Sequence, residues 1–274
     1  MRILAALLLL SPALVRGIDL QPTRGGPADL AIRDAAGAVA YARWSDLRRL
    51  PTTRIQLQGE FAPGTQTATA LFLADLLKAI PHPAGADTVL ATCRDGYASV
   101  FPPSFIKRYR PFLVLEIDGK GPAAWGTLPH DPGPYAITVS DSVVPGVSSV
   151  RDVEHKRPWE VTTVELAPYA SAFRAAYTGR WAVLSPKERD GRDIWINSCA
   201  SCHKGPGGIF SGTKAGRPWQ VILAFAAHDR PYFAGYVRSP TSLVPCAKME
   251  PHPGYSDNEL SNLIAFIVKG SESP

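Results

Sequence analysis

The sequence predicts a two-domain protein, an α+β unit followed by an all-α unit, on three observations. The 274 residues are 45% apolar and 19% charged, a globular composition long enough for one sizeable core or two smaller ones. Twenty-six prolines and 23 glycines argue for many turns and short elements, and against a long-helix bundle. After Ala167 the texture changes, as short strand-like runs give way to helix signals.

The N-terminus reads as an export signal over residues 1–17. Arg2 supplies its positive start, Ile3–Leu10 and Pro12–Val15 its apolar stretch, and Val15-Arg16-Gly17 the modest residues near a cleavage point. Removing it takes away Arg2 and Arg16 and lowers the formal charge from +5 to +3. The basic residues are interleaved with acids rather than gathered in a stripe, which argues against a nucleic-acid partner. No later apolar run is long enough to span a bilayer, so the mature chain is expected to be a soluble periplasmic protein. Four cysteines are too few for a disulfide-built scaffold.

Residues 18–177 form the expected α+β domain. Strands are expected at Asp29–Arg33, Arg54–Gln58, Thr88–Ala91, Phe112–Ile117, Tyr135–Val139 and Val161–Leu166. Asp95-Gly96 and Asp118-Gly119 read as hairpin turns, because glycine tolerates the positive φ such turns require. Short helices are expected at Trp44–Arg49 and Ala70–Ile80, the second stopped by Pro81. Glycine-rich nucleotide-binding patterns do not occur. Trp44, Trp125, Tyr135, Trp159 and Trp181 are read as packing residues, and His82, His130 and His155 are too scattered to suggest a metal site.

A linker over 178–185 leads into an all-α domain over 186–271. Ser185 caps its first helix, with Pro186 at the first position and Glu188 three residues after the cap; Gly191 permits close packing. A last helix starts with Ser256 as cap and Glu259 three later, buries Leu260, Leu263, Ile264, Phe266 and Ile267, and closes at Gly270.

Between those helices stands Cys199-Ala-Ser-Cys202-His203. In a C-x-x-C-H pentad the two thiols add across the vinyl groups of a heme, and the histidine becomes the proximal iron ligand. A redox C-x-x-C would open a helix instead of following one. A structural zinc site would need a second ligand pair that Cys246 and His252 supply poorly. Once Met1 leaves with the signal, Met249 is the only thioether, held in the proline-flanked loop Pro245–Pro251. Cys199 and Cys202 are therefore the expected covalent attachment points, with His203 and Met249 as axial ligands. His252, Cys246 or an open distal position are the alternatives.

These residues, with Asp190-Gly191, Tyr236–Pro240, Lys248-Met249 and the Ser256–Phe266 helix, resemble a class I single-heme cytochrome c domain over about 85 residues. The resemblance implies a small helical fold with crossing terminal helices. It places Gly191 at the crossing, Trp195 and Phe266 beside it, and a carbonyl of Pro206 or Gly207 on His203. Cys246 is a departure from that pattern.

The front half is similar to the molybdopterin-binding domain of the sulfite-oxidase type. The similar stretches are Trp44–Leu47 with Leu50-Pro51, Phe72–Leu77, Asp95-Gly-Tyr97, Leu113–Gly119, Gly133-Pro134 and Arg157-Pro-Trp159. That family holds molybdenum through a cysteine ahead of the Phe72–Leu77 helix. Thr52–Thr69 contains none, Cys93 comes too late, and an arginine is missing near Gly133-Pro134 although His130 is present. The expectation is a docking or scaffold module without molybdopterin, in a carrier passing single electrons between a dehydrogenase, another cytochrome or an oxidase. The alternative is a heme- and molybdopterin-containing oxidoreductase acting on a small oxyanion or sulfur compound. Lys204, Lys214, Arg217 and Lys248 flank the presumed heme mouth and would steer an acidic partner. Cys93 and Cys246, the two thiols left over in an exported chain, are candidates for a disulfide stapling the two domains, the alternative being two buried, unpaired apolar fillers at unrelated sites.

Overall fold

The computed structural model describes residues 17–34, 36–153, 155–205 and 211–271. All of the expected export signal except Gly17 lies outside these residues. Among the described residues no helix is long and apolar enough to cross a membrane. The architecture has an N-terminal mixed α+β region and a C-terminal mostly helical region.

The N-terminal region contains, in chain order, β1 (Leu30–Arg33), β2 (Val39–Ala42), α1 (Trp44–Leu47), β3 (Thr53–Gln58), β4 (Thr65–Phe72), α2 (Leu73–Ala79), β5 (Thr88–Cys93), β6 (Ala98–Phe101), α3 (Pro103–Tyr109), β7 (Phe112–Ile117), β8 (Ala136–Thr138) and β9 (Val161–Ala167). They make a five-stranded sheet, β2-β1-β9-β5-β6, and a four-stranded sheet, β3-β4-β7-β8. Only β1 and β9 pair in parallel among these strands.

The helix expected from Ala70 begins three residues later. Thr65–Phe72 is instead a strand paired on both sides, with Ala68 opposite Ile55 in β3 and Ile117 in β7. Gln66, Ala68 and Ala70 are buried while the threonines between them face outward, so period 2 prevails over the apolar run that follows. The two Asp-Gly turns take the expected form, with Gly96 at φ 85° and Asp118 and Gly119 both at positive φ.

β5 is buried on both faces, and that positions the site. Val89 and Ala91 join the front core with Leu30, Val164, Leu113 and Ile137. Leu90, with Val100 of β6, points the other way and joins the core of the helical region beside Trp195, Leu263 and Phe266. The front sheet thus forms one wall of the helical core.

A short helix, α4 (Tyr169–Ala172), follows β9, and the C-terminal region comprises α5 (Pro186–Asn197), α6 (Trp219–His228), α7 (Arg230–Arg238), α8 (Pro240–Leu243) and α9 (Asp257–Lys269). Both predicted capping boxes form: Ser185 with Glu188 on α5, and Ser256 with Glu259 on α9. Each such cap contributes about 1 kcal/mol. α5 and α9 cross at Gly191, where a Cβ would stand 2.0 Å from the Asn262 carbonyl oxygen and 2.9 Å from the Phe266 Cβ. Helices α6 and α7 were not anticipated from sequence. The cap of α7 is Asp229, which accepts from the Tyr232 N–H at 3.0 Å.

Candidate functional site

The end of α5 delivers the pentad. Beyond Asn197 the chain tightens into a single 3-10 turn, Cys199–Ser201, and the His203 N–H donates to the Cys199 carbonyl at 2.9 Å. This winding puts both thiols and the imidazole within one turn, beside the buried Trp195 ring. Trp195 lies 6.4 Å from the His203 ring and edge-on to Trp219 at 4.9 Å. Cys199 and Met249, distant in sequence, both pack against the helical core.

His203 is half-buried, and its Nδ1 is buried with no hydrogen-bond partner among the described residues. The carbonyl expected from Pro206 or Gly207 lies outside the described residues. Burial, aided by Arg217 and His252, lowers the His203 pKa and favours the neutral imidazole that binds a metal. The thiols are also neutral. Burial and the neighbouring Cys202 push Cys199 up to about 12, and burial raises Cys202.

Met249 is half-buried in the loop after α8, while Cys246 is exposed. His252 is buried; its backbone N–H donates to the Val237 carbonyl at 3.0 Å, and its ring Nδ1 lies 3.0 Å from Nε2 of His155 in the front region. Among the described residues no cluster of three or more His, Cys, Asp or Glu is arranged to hold a metal ion.

The front region reaches this site along a seam the sequence did not disclose. The Thr213 N–H donates to the Gly96 carbonyl at 2.7 Å, and Lys214 Nζ pairs with Asp95 at 2.8 Å. Tyr97 and Ser99 hydroxyls both donate to the His155 carbonyl, at 2.9 and 2.6 Å. Buried Lys156 donates to the Asn197 carbonyl at 3.0 Å. Farther out, Arg151 pairs with Glu259, and a cleft of about 460 Å³ opens between α3, α5 and α9. Its basic Arg108, Arg151 and Lys156 face acidic Asp190, Asp193 and Glu259, so its lining selects no ligand charge.

One expectation is corrected: Lys214 is committed to Asp95 within the chain and is not a free steering charge. The two candidate bridging thiols lie in different settings, Cys93 buried against the front core at the end of β5 and Cys246 exposed beyond α8, and all four cysteines are free thiols.

The histidine pair makes stability pH-dependent. Burial, with His252 and Lys156 nearby, lowers His155 to about 4 from its usual 6.5. Its neutral form is favoured in the folded chain, so this stabilisation is complete above pH 6.5 and is lost as pH falls from 6.5 to 4. The loss amounts to about 3 kcal/mol. Glu259 is held at about 2 by Arg151 and the α9 cap, so its contribution disappears only below its usual 4.5. Urea midpoints measured between pH 7 and 4.5 should therefore fall in the wild type and fall less steeply in His155→Gln, where the buried His203 still titrates in the same direction. Equal slopes in both proteins would show that His155 is not the titrating group.

No protein-family model matches the chain, and no curated protein is significantly similar to it.

Proposed function

We propose that the chain is an exported single-heme c-type electron carrier, periplasmic, in which the α+β region serves as a docking or scaffold module. The observation that carries this reading is the pentad wound into one turn at the end of α5, with a half-buried His203 held in its neutral form by burial. Cys199 and Cys202 would hold the heme through thioether bonds, and His203 and Met249 would be its axial ligands. When bound, such a group supplies reversible one-electron exchange. The chain's own residues do the rest. The α5–α9 crossing fixes the turn that bears His203, Trp195 packs beside the imidazole, and the helical core seats Cys199 and Met249 in one apolar environment. The crossing of capped terminal helices around this turn supports a class I cytochrome c fold for 186–271.

The front region, 18–177, is read as a sulfite-oxidase-type domain that has given up its cofactor, joined through residues 178–185. The residues present do not fit a molybdenum–pterin centre. The β3–β4 hairpin carries no thiol, and Cys93 lies in the other sheet, buried and pushed up to about 12 by burial and Asp95. What the domain contributes is its hold on the segments flanking the pentad, through Gly96 to Thr213, Asp95 to Lys214 and Lys156 to Asn197.

Expression of the full chain in a host able to attach heme tests this reading. The intact mass should rise by one heme per chain, metal analysis should give one iron and no molybdenum, and Cys199→Ser/Cys202→Ser should lose the covalent adduct. A chain that acquires no heme under those conditions, or that carries stoichiometric molybdenum, overturns it.

A further inference from the structure

Cys93 is the chemistry-bearing side chain beside the pentad that the heme reading leaves unused. It ends β5, and the Asp95-Gly96 turn that follows is fastened to residues 213 and 214. The same segment is fastened to the pentad: the Gly212 N–H donates to the Ala200 carbonyl at 2.7 Å, and the Ala215 N–H to the Cys202 carbonyl at 3.0 Å. Gly212 allows three backbones to meet, since a Cβ there would lie 1.9 Å from the Ser201 oxygen and 2.9 Å from the Gly96 oxygen. Two cysteine-bearing turns are thereby pressed onto one short segment. Lys214, on that segment, also pairs with Asp95 of the Cys93 turn at 2.8 Å. Cys199, at the other end of the 3-10 turn, packs into the helical core.

We propose that Cys93 and Cys202 close a disulfide in the heme-free chain, holding Cys202 in a form that cannot add to a heme vinyl group. The bridge rests on the contact between the two turns; only its consequence rests on the proposed heme function. The oxidant is a protein or small-molecule disulfide of the kind an oxidising compartment supplies. The half-exposed Cys202 loses its proton, attacks that disulfide and expels one thiolate. Cys93 then loses its proton, attacks Cys202 Sγ and expels the second. Two electrons reduce the oxidant to two thiols, which take up the two protons, and one S–S bond is left in the protein.

Peptide mapping of the full-length, heme-free chain decides the bridge. The chain is incubated with oxidised glutathione at pH 8, alkylated, and digested without reduction. The expected product is a linked Cys93/Cys202 peptide with Cys199 and Cys246 alkylated. A Cys199–Cys202 link with Cys93 alkylated, or four thiols that alkylate or take up only glutathione, overturns the proposal. Under the same oxidised conditions, Cys93→Ala should acquire heme several-fold more readily than the wild type. Equal uptake overturns the blocking role. If neither chain acquires heme even after full reduction, the heme reading fails, and the peptide map still decides the bridge.

Discussion

Gly191→Ala is expected to cost the helical region at least roughly 3 kcal/mol, among the largest effects of any single methyl group in this protein. The reason is what the methyl would meet. It would fall 2.0 Å from a backbone oxygen and 2.5 Å from the carbonyl carbon of Asn262, with the Phe266 Cβ at 2.9 Å. A side chain could rotate away, but the α9 backbone can retreat only by separating the two helices. That separation would disturb Trp195, Leu263 and Phe266, which fill the core beneath the crossing and are almost fully buried. Alanine's better helix propensity returns only about 1 kcal/mol. Gly216→Ala is the control, because no neighbouring atom stands within 4 Å of its added methyl. Urea unfolding followed by far-ultraviolet circular dichroism should show a large drop for the first variant and a change within about 0.5 kcal/mol for the second. Equal stabilities would mean that the helices do not cross at Gly191.

The features readable in advance were those whose physics is local. Ser185 with Glu188, and Ser256 with Glu259, close their capping boxes within four residues, so the starts of α5 and α9 can be read directly from the chain. The pentad is local too, and its residues fall within one turn as their spacing implies. β4 was harder. Its threonine alternation runs without a break into the apolar start of α2, and only pairing with β3 and β7 decides where the strand stops. In α6 the run Val221–Ala227 is apolar nearly all round, which hides the helical period. The seam between the regions was beyond reach for a different reason. Gly96 with Thr213, His155 with His252, and Lys156 with Asn197 are contacts between residues far apart in sequence, and no spacing rule announces them. The placement of Cys93 belongs with these: an unpaired thiol in the sequence suggests a bridge, but only the packed structure shows that its turn and the pentad meet on residues 212–215.

Met249→Ala in the heme-loaded protein should lower the reduction potential by on the order of a hundred millivolts. A thioether favours ferrous iron, so its loss removes that preference, and the weak near-infrared band of a sulfur–ferric bond should vanish with it. Met249 also packs against the helical core, so part of any change could reflect a loosened loop rather than a lost ligand. Met249→Leu separates the two, since it keeps nearly the same apolar volume without the sulfur. A ligand role predicts that Leu and Ala both abolish the band and lower the potential, while Leu alone preserves stability. A packing role predicts that Leu behaves as wild type. His252 is the candidate to replace the lost thioether, and it would first have to give up its 3.0 Å contact with His155. The potential of Met249→Ala should therefore drop further in a His155→Ala background, where that contact no longer competes for the ring. A near-infrared band that survives in Met249→Ala would remove Met249 from the iron and leave His252 as the residue to test.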